Sequence, residues 1–101
     1  MTTQQVKDMI SARVHRSEPN AKVLLFGSRA RGDARSDSDW DVMVLLGDDA
    51  KTDRYDISDS MIRLGWDVGE VINPLVYKQK EWEMKSFTPF FHNVMRDKVD
   101  L

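Results

Sequence analysis

Apolar residues in this chain recur in two rhythms, one helical and one strand-like. Between Thr3 and about Ser17, the residues Val6, Met9, Ile10 and Val14 return at three- and four-residue spacing. They draw one apolar stripe and predict a first helix, which Pro19-Asn20 ends. Lys22–Phe26 is a short apolar run just before a glycine and reads as a buried strand. Gly27-Ser28 then makes a turn, Arg29-Ala30-Arg31 opens a short helix, and Gly32 to Ser38 is a polar loop. Asp39–Leu46 is the clearest strand, rich in β-formers and stopped by Gly47-Asp48-Asp49. Asp53 suits an N-cap, and Ile57, Met61 and Leu64 follow at helical spacing up to Gly65, where that helix or its last turn is expected to end.

A third strand is expected from Glu70 to Tyr77. Pro74 within it cannot donate to a ladder, so this strand belongs at a sheet edge or carries a bulge. Lys78 to Lys85 forms a short charged helix or turn. Thr88-Pro89 is an N-cap and first-turn pair for a last helix, with Phe87, Phe90, Phe91, Val94 and Met95 as its apolar face. The order α-β-α-β-α-β-α implies an α/β (α+β) fold, a small mixed sheet with helices packed against it.

Composition narrows the class. The chain has 101 residues, enough for one domain with a modest core, so residues 1–101 are expected to form a single unit. Hydrophobic residues make up 41% and charged residues 32%, which suits a folded rather than a disordered chain. The absence of cysteine excludes disulfides and thiolate metal sites. No segment has the length and apolarity to span a bilayer, and the N-terminus lacks a secretory pattern, so a cytoplasmic protein without membrane partners is expected.

The net charge is −2, but it is unevenly spread. Met1 to Arg35 holds seven basic and three acidic residues, whereas Ser36 to Glu70 holds ten acidic and three basic. A basic loop beside an acidic strand suits an anionic ligand bridged by cations. It does not suit a long polyanion, and direct nucleic-acid binding is not expected.

The candidate chemistry lies where these two regions meet. Side chains alternate along a strand, so Asp39 and Asp41 share a face while Trp40 and Val42 anchor the other. Two close carboxylates repel, and a hard divalent ion relieves the repulsion; magnesium prefers a few carboxylates together with phosphates and water. Asp37 has the same parity but no apolar anchor, and it is assigned to the loop. The bland reading of any Asp-x-Asp is a solvated strand start. That reading weakens here because a strand-Gly27-Ser28-helix turn precedes the pair by about ten residues. Gly27 permits close backbone approach, the Ser28 hydroxyl and nearby N–H groups can donate to phosphate oxygens, and Arg29 or Arg31 can add a bidentate contact.

Gly27-Ser28-Arg29-Ala30-Arg31-Gly32 through Ser36-Asp37-Ser38-Asp39-Trp40-Asp41-Val42 resembles the minimal nucleotidyltransferase (MNT) domain of the DNA polymerase β-like superfamily. The motif covers about a sixth of the chain. The resemblance implies a polymerase β palm-like fold. It implies that Gly27 and Ser28 bind the triphosphate of ATP or another nucleoside triphosphate, and that Asp39 and Asp41 hold two magnesium ions. A hydroxyl then attacks the α-phosphate and releases pyrophosphate, moving a nucleoside monophosphate, AMP by preference, onto an acceptor. It also implies a helical HEPN-type partner protein, with this chain as the antitoxin of a toxin–antitoxin pair.

The superfamily supplies a third carboxylate from the next core strand. Here Val71 or Ile72 falls where that acid is expected. Glu70 is the nearest candidate metal ligand, one residue out of register, and Asp67 is a weaker one. A one-residue shift turns a strand side chain to the opposite face. This departure supports a second hypothesis, a catalytically weakened module that binds nucleotide or neutralises a partner by contact. His15 and His92 read as surface residues, and Trp66 and Trp82 as core or partner-contact residues rather than base-stacking ones.

Overall fold

The computed structural model describes residues 1–101. In chain order the elements are α1 (Thr3–Ser17), β1 (Lys22–Phe26), α2 (Ser28–Arg31), β2 (Trp40–Leu46), α3 (Arg54–Val68), β3 (Ile72–Lys78), α4 (Gln79–Glu83), α5 (Pro89–Asp97) and β4 (Val99–Asp100). The four strands form one mixed sheet in the order β3-β2-β1-β4. β1 is antiparallel to β2 and β4, and β2 is parallel to β3. Pro74 thus lies on an edge strand, as its missing donor requires.

The sheet buries both faces unequally. On one face Val23, Leu25, Val42, Val44, Leu46, Ile72 and Val76 meet Val6, Ile10 and Val14 of α1 and Ile57, Met61 and Leu64 of α3 in the main core. On the other, Leu24, Met43 and Leu45 pack on Trp82 of α4 and Val94 of α5. Asp41 has the parity of Met43 and Leu45, so it projects from this second face, at the end where β1 finishes and β2 and β3 begin. Trp82 is core, whereas Trp66 is exposed. Of the expected aromatic face of α5, Phe91 and Val94 turn inward, while Phe87, Phe90 and Met95 are exposed.

Side chains fix the helix ends. Asp53 accepts from the Tyr55 N–H at 2.7 Å and Thr88 Oγ1 from the Phe91 N–H at 3.1 Å. Glu18 Oε1 accepts from the backbone N–H groups of Lys51 and Thr52, both at 2.8 Å, tying the end of α1 to the β2–α3 loop. These bonds hold the Glu18 carboxyl below its ordinary value. His15 is structural too: its Nε2 lies 2.9 Å from the Ala21 carbonyl, which can only accept, so Nε2 donates, and its Nδ1 shares a hydrogen bond with the Ser11 hydroxyl at 3.1 Å.

Three expectations are corrected. First, α3 does not stop at Gly65; it runs to Val68 and closes on Gly69 at φ +74°. Gly65 is there for packing, because a Cβ on it would lie 2.7 Å from the Glu70 carbonyl oxygen and 3.3 Å from the Ile72 nitrogen. Gly65→Ala is therefore expected to cost about 1–3 kcal/mol of overpacking. This outweighs its gain of about 1 kcal/mol in helix propensity and should lower the urea midpoint. Second, β3 begins at Ile72, two residues later than expected, which leaves Glu70 in the preceding turn. Third, β4 is a two-residue strand that pairs Leu24 with Asp100 and Leu25 with Val99; such a stretch is too short to show periodicity.

Candidate active site

Gly27 ends β1 and caps α2 at φ +71° and ψ −156°, a region open in practice only to glycine. Its carbonyl accepts from the N–H groups of Ala30 and Arg31, both at 3.1 Å, and closes the first turn. The Ser28 and Arg29 N–H groups are left at its open end. Phe26 stands opposite Asp41 in the β1–β2 register. A Cβ on Gly27 would collide with Asp41 Oδ2 and come within 3.3 Å of its Cγ. The glycine thus lets the turn close over a carboxylate.

Across the sheet, Asp41 is in register with Asn73 on β3. The Asn73 amide donates to Asp39 Oδ2 at 3.0 Å and to Asp41 Oδ1 at 3.4 Å. The β3 residue that meets both aspartates is thus Asn73, not Val71 or Ile72, where the third acid was expected. Burial lifts the Asp41 carboxyl above its ordinary value; the Asn73 hydrogen bond opposes this, the Asp39 charge adds to it, and Arg31 opposes it.

The remaining candidates divide. Arg31 is exposed and near enough to act on Asp41, and it also pairs with Asp33 at 3.3 Å and Asp97 at 3.9 Å. Arg29, expected as a phosphate ligand, is spent within the fold. Its guanidinium donates to the Ser38 carbonyl at 2.8 and 3.2 Å and to that of Ser36 at 3.3 Å, and it lies 4.5 Å from the centre of the Trp40 ring. It fastens the 32–38 loop against β2 and so positions Asp39. Glu70, offered above as a metal ligand, is 3.8 Å from that same guanidinium. No three of His, Cys, Asp and Glu converge anywhere in the structure. Asp37 is in the loop, Asp67 is exposed on α3, and His92 is exposed on α5.

Two carboxylates on one face, one of them raised by burial and by its neighbour, are a donor set that fits a hard cation. The Asn73 amide faces them with its NH2, a donor, so its oxygen joins them as a ligand only when the amide turns over. The set holds two acids rather than three.

A family model described as a nucleotidyltransferase domain matches residues 6–96, which includes the turn, both aspartates and Asn73. The chain belongs to the nucleotidyltransferase domain family. A search of curated proteins finds no match. Among solved structures, this nucleotidyltransferase domain is similar to a Sulfolobus solfataricus protein described as a nucleotidyltransferase. The identity is 23% and the TM-score 0.56, over 95% of this chain and 76% of the other. It also resembles a chain of a toxin–antitoxin complex with AMP-PNP at 15% identity and TM-score 0.65, covering 98% and 72% of the two chains. A Shewanella oneidensis complex of tri-AMPylated HEPN toxin with MNT antitoxin matches at 15% identity and TM-score 0.63, covering 98% and 71%. At these identities the three establish the nucleotidyltransferase fold. No helix is long and apolar enough to cross a membrane.

Proposed function

We propose that this nucleotidyltransferase domain moves a nucleoside monophosphate, AMP from ATP, onto a hydroxyl of a partner protein of the HEPN type. The observation that carries the proposal is the contact between the Gly27 turn and Asp41. It sets phosphate-donating N–H groups beside a carboxylate pair, as transfer at an α-phosphate requires. Gly27, Ser28 and Arg31 would hold the triphosphate, and Asp39 and Asp41 would hold magnesium. When bound, that ion supplies charge neutralisation at the transferring phosphoryl group and its leaving group. The acceptor oxygen forms the new bond to the α-phosphorus, its proton passes to solvent water, the bond to the bridging oxygen breaks, and pyrophosphate leaves. The fold shared with toxin–antitoxin structures supports a partner protein as the acceptor.

Asn73 favours a second reading, a nucleotide-binding or partner-neutralising module with weak turnover. An amide has no basic site for the acceptor's proton. Incubation of the purified protein with magnesium, α-labelled ATP and a HEPN partner separates the two. Label on the partner, lost in Asp39→Ala/Asp41→Ala, supports transfer. No label, with the partner still neutralised by the double variant, defeats transfer and leaves the module.

The raised Asp41 carboxyl sets a pH dependence. Its folded-state value lies above the unfolded one, so in metal-free protein its ionisation costs stability as pH rises through the raised value. Cation binding needs the ionised form. The gain in Tm on adding magnesium is therefore expected to be largest at pH 7.5 and to shrink as the pH falls toward the carboxylate range. Asp41→Asn should lower the magnesium-induced gain at pH 7.5, because it removes one of the two carboxylates.

A further inference from the structure

The Gly27 turn also forms one wall of a pocket of about 160 Å³ whose opposite wall is α5. Phe26, Gly27, Arg31, Phe90, Asn93 and Asp97 line it. Phe90, Asn93 and Asp97 are spaced i, i+3 and i+7, so one stripe of α5 faces the turn. Phe90 is 41% exposed. Its ring packs edge-on against Phe26 and Trp82, each with centroids 5.8 Å away, and leaves part of its aromatic surface open. Because Phe26 is the register partner of Asp41, the pocket begins one residue pair from the carboxylates.

This lining suits a nucleoside through its aromatic and amide groups. The Asp97 carboxylate is already paired with Arg96 at 3.0 and 3.1 Å and with Arg31 at 3.9 Å, so it adds no free charge to the lining. The part-exposed Phe90 ring offers a stacking surface, which any base can use through its π face. A side-chain amide such as that of Asn93 carries one acceptor and two donors. That pattern complements the N6 amine and N7 of adenine, whereas guanine presents two acceptors there.

We infer that this pocket is the nucleobase subsite, with the base stacked on Phe90 and Asn93 selecting adenine. The inference rests on the nucleotide-binding reading above and adds which part of the ligand lies where. Phe90 and Asn93 then set the choice of nucleotide, while the turn and the aspartates hold the phosphates.

Calorimetric titration with magnesium complexes of ATP, GTP and inorganic tripolyphosphate tests it. The wild type is expected to bind ATP more tightly than GTP. Phe90→Ala should weaken ATP about tenfold and leave tripolyphosphate unchanged. Asn93→Leu, a change at an exposed position, should abolish the preference for ATP over GTP, again without affecting tripolyphosphate. Equal loss of ATP and tripolyphosphate in Phe90→Ala, or an unaltered nucleotide preference in Asn93→Leu, overturns the subsite and leaves the phosphate reading standing. If folded wild-type protein binds neither ATP nor tripolyphosphate, the nucleotide reading fails and the subsite with it.

Discussion

Gly27→Ala is expected to lower transfer by about a hundredfold while leaving the protein folded. Two effects combine at this position. An alanine at φ +71° and ψ −156° adopts a strained backbone, costing roughly 1–3 kcal/mol. Its Cβ also occupies the place of Asp41 Oδ2. The second effect has an outlet, because the carboxylate can rotate away. That rotation breaks the Asn73 hydrogen bond at 3.4 Å and separates the two aspartates. Displacements of about 1 Å at a reacting centre can cost on the order of 10²-fold in rate. The expected signature is a modest fall in the urea midpoint with a large fall in label transfer and in the magnesium-induced Tm gain. A variant that loses stability but keeps full transfer would show that Asp41 does not depend on the turn.

Asn73→Asp is the other large change, and its expected sign is a gain. The new carboxylate would stand in register with Asp41 and within hydrogen-bonding distance of Asp39, completing three acids on one face. It would add both a ligand and a site able to take the acceptor's proton. General-base contributions run from about 10² to 10⁴, so even a poorly placed base should raise transfer tenfold or more. In a metal chelator the same variant should melt below wild type, since three close carboxylates repel. Magnesium should reverse that order. Asn73→Ala is the control: it removes the amide without adding charge and should give no gain. If Asn73→Asp reduces transfer as far as Asn73→Ala does, Asn73 does not stand where a third acid would act.

These two residues mark what local sequence could and could not disclose. Asp39 and Asp41 were legible because alternation with Trp40 and Val42 fixes their face without reference to any other segment. The turn was legible because Gly-Ser follows a strand and precedes a helix. Asn73 was hidden because its role depends on the register of two parallel strands separated by α3, and register is set by packing. Reasoning by residue type pointed to Glu70, the nearest carboxylate. The later start of β3 leaves Glu70 in a turn, where it meets Arg29. A cue existed in that Asn73 is the polar residue on the face of Leu75 and Tyr77, the same alternation that revealed the aspartates. Arg29 misled for a related reason. A basic residue after the glycine suggests a phosphate contact, but the carbonyls that consume its donors come from a loop with no periodic signal. Gly65 was read as a helix end because glycine often is one, whereas here the close approach of β3 decides its identity.

Pro74 has a consequence that concerns the outside of the molecule. β3 is an edge of the sheet, and a seven-residue edge strand with apolar members is the sort of border onto which another extended chain can add. A proline near its middle interrupts the row of donors such an addition needs. Partners are thereby steered away from strand addition at this border and toward contacts made by side chains. Replacing Pro74 would open the border next to Asn73, with the hazard of self-association growing beside the site.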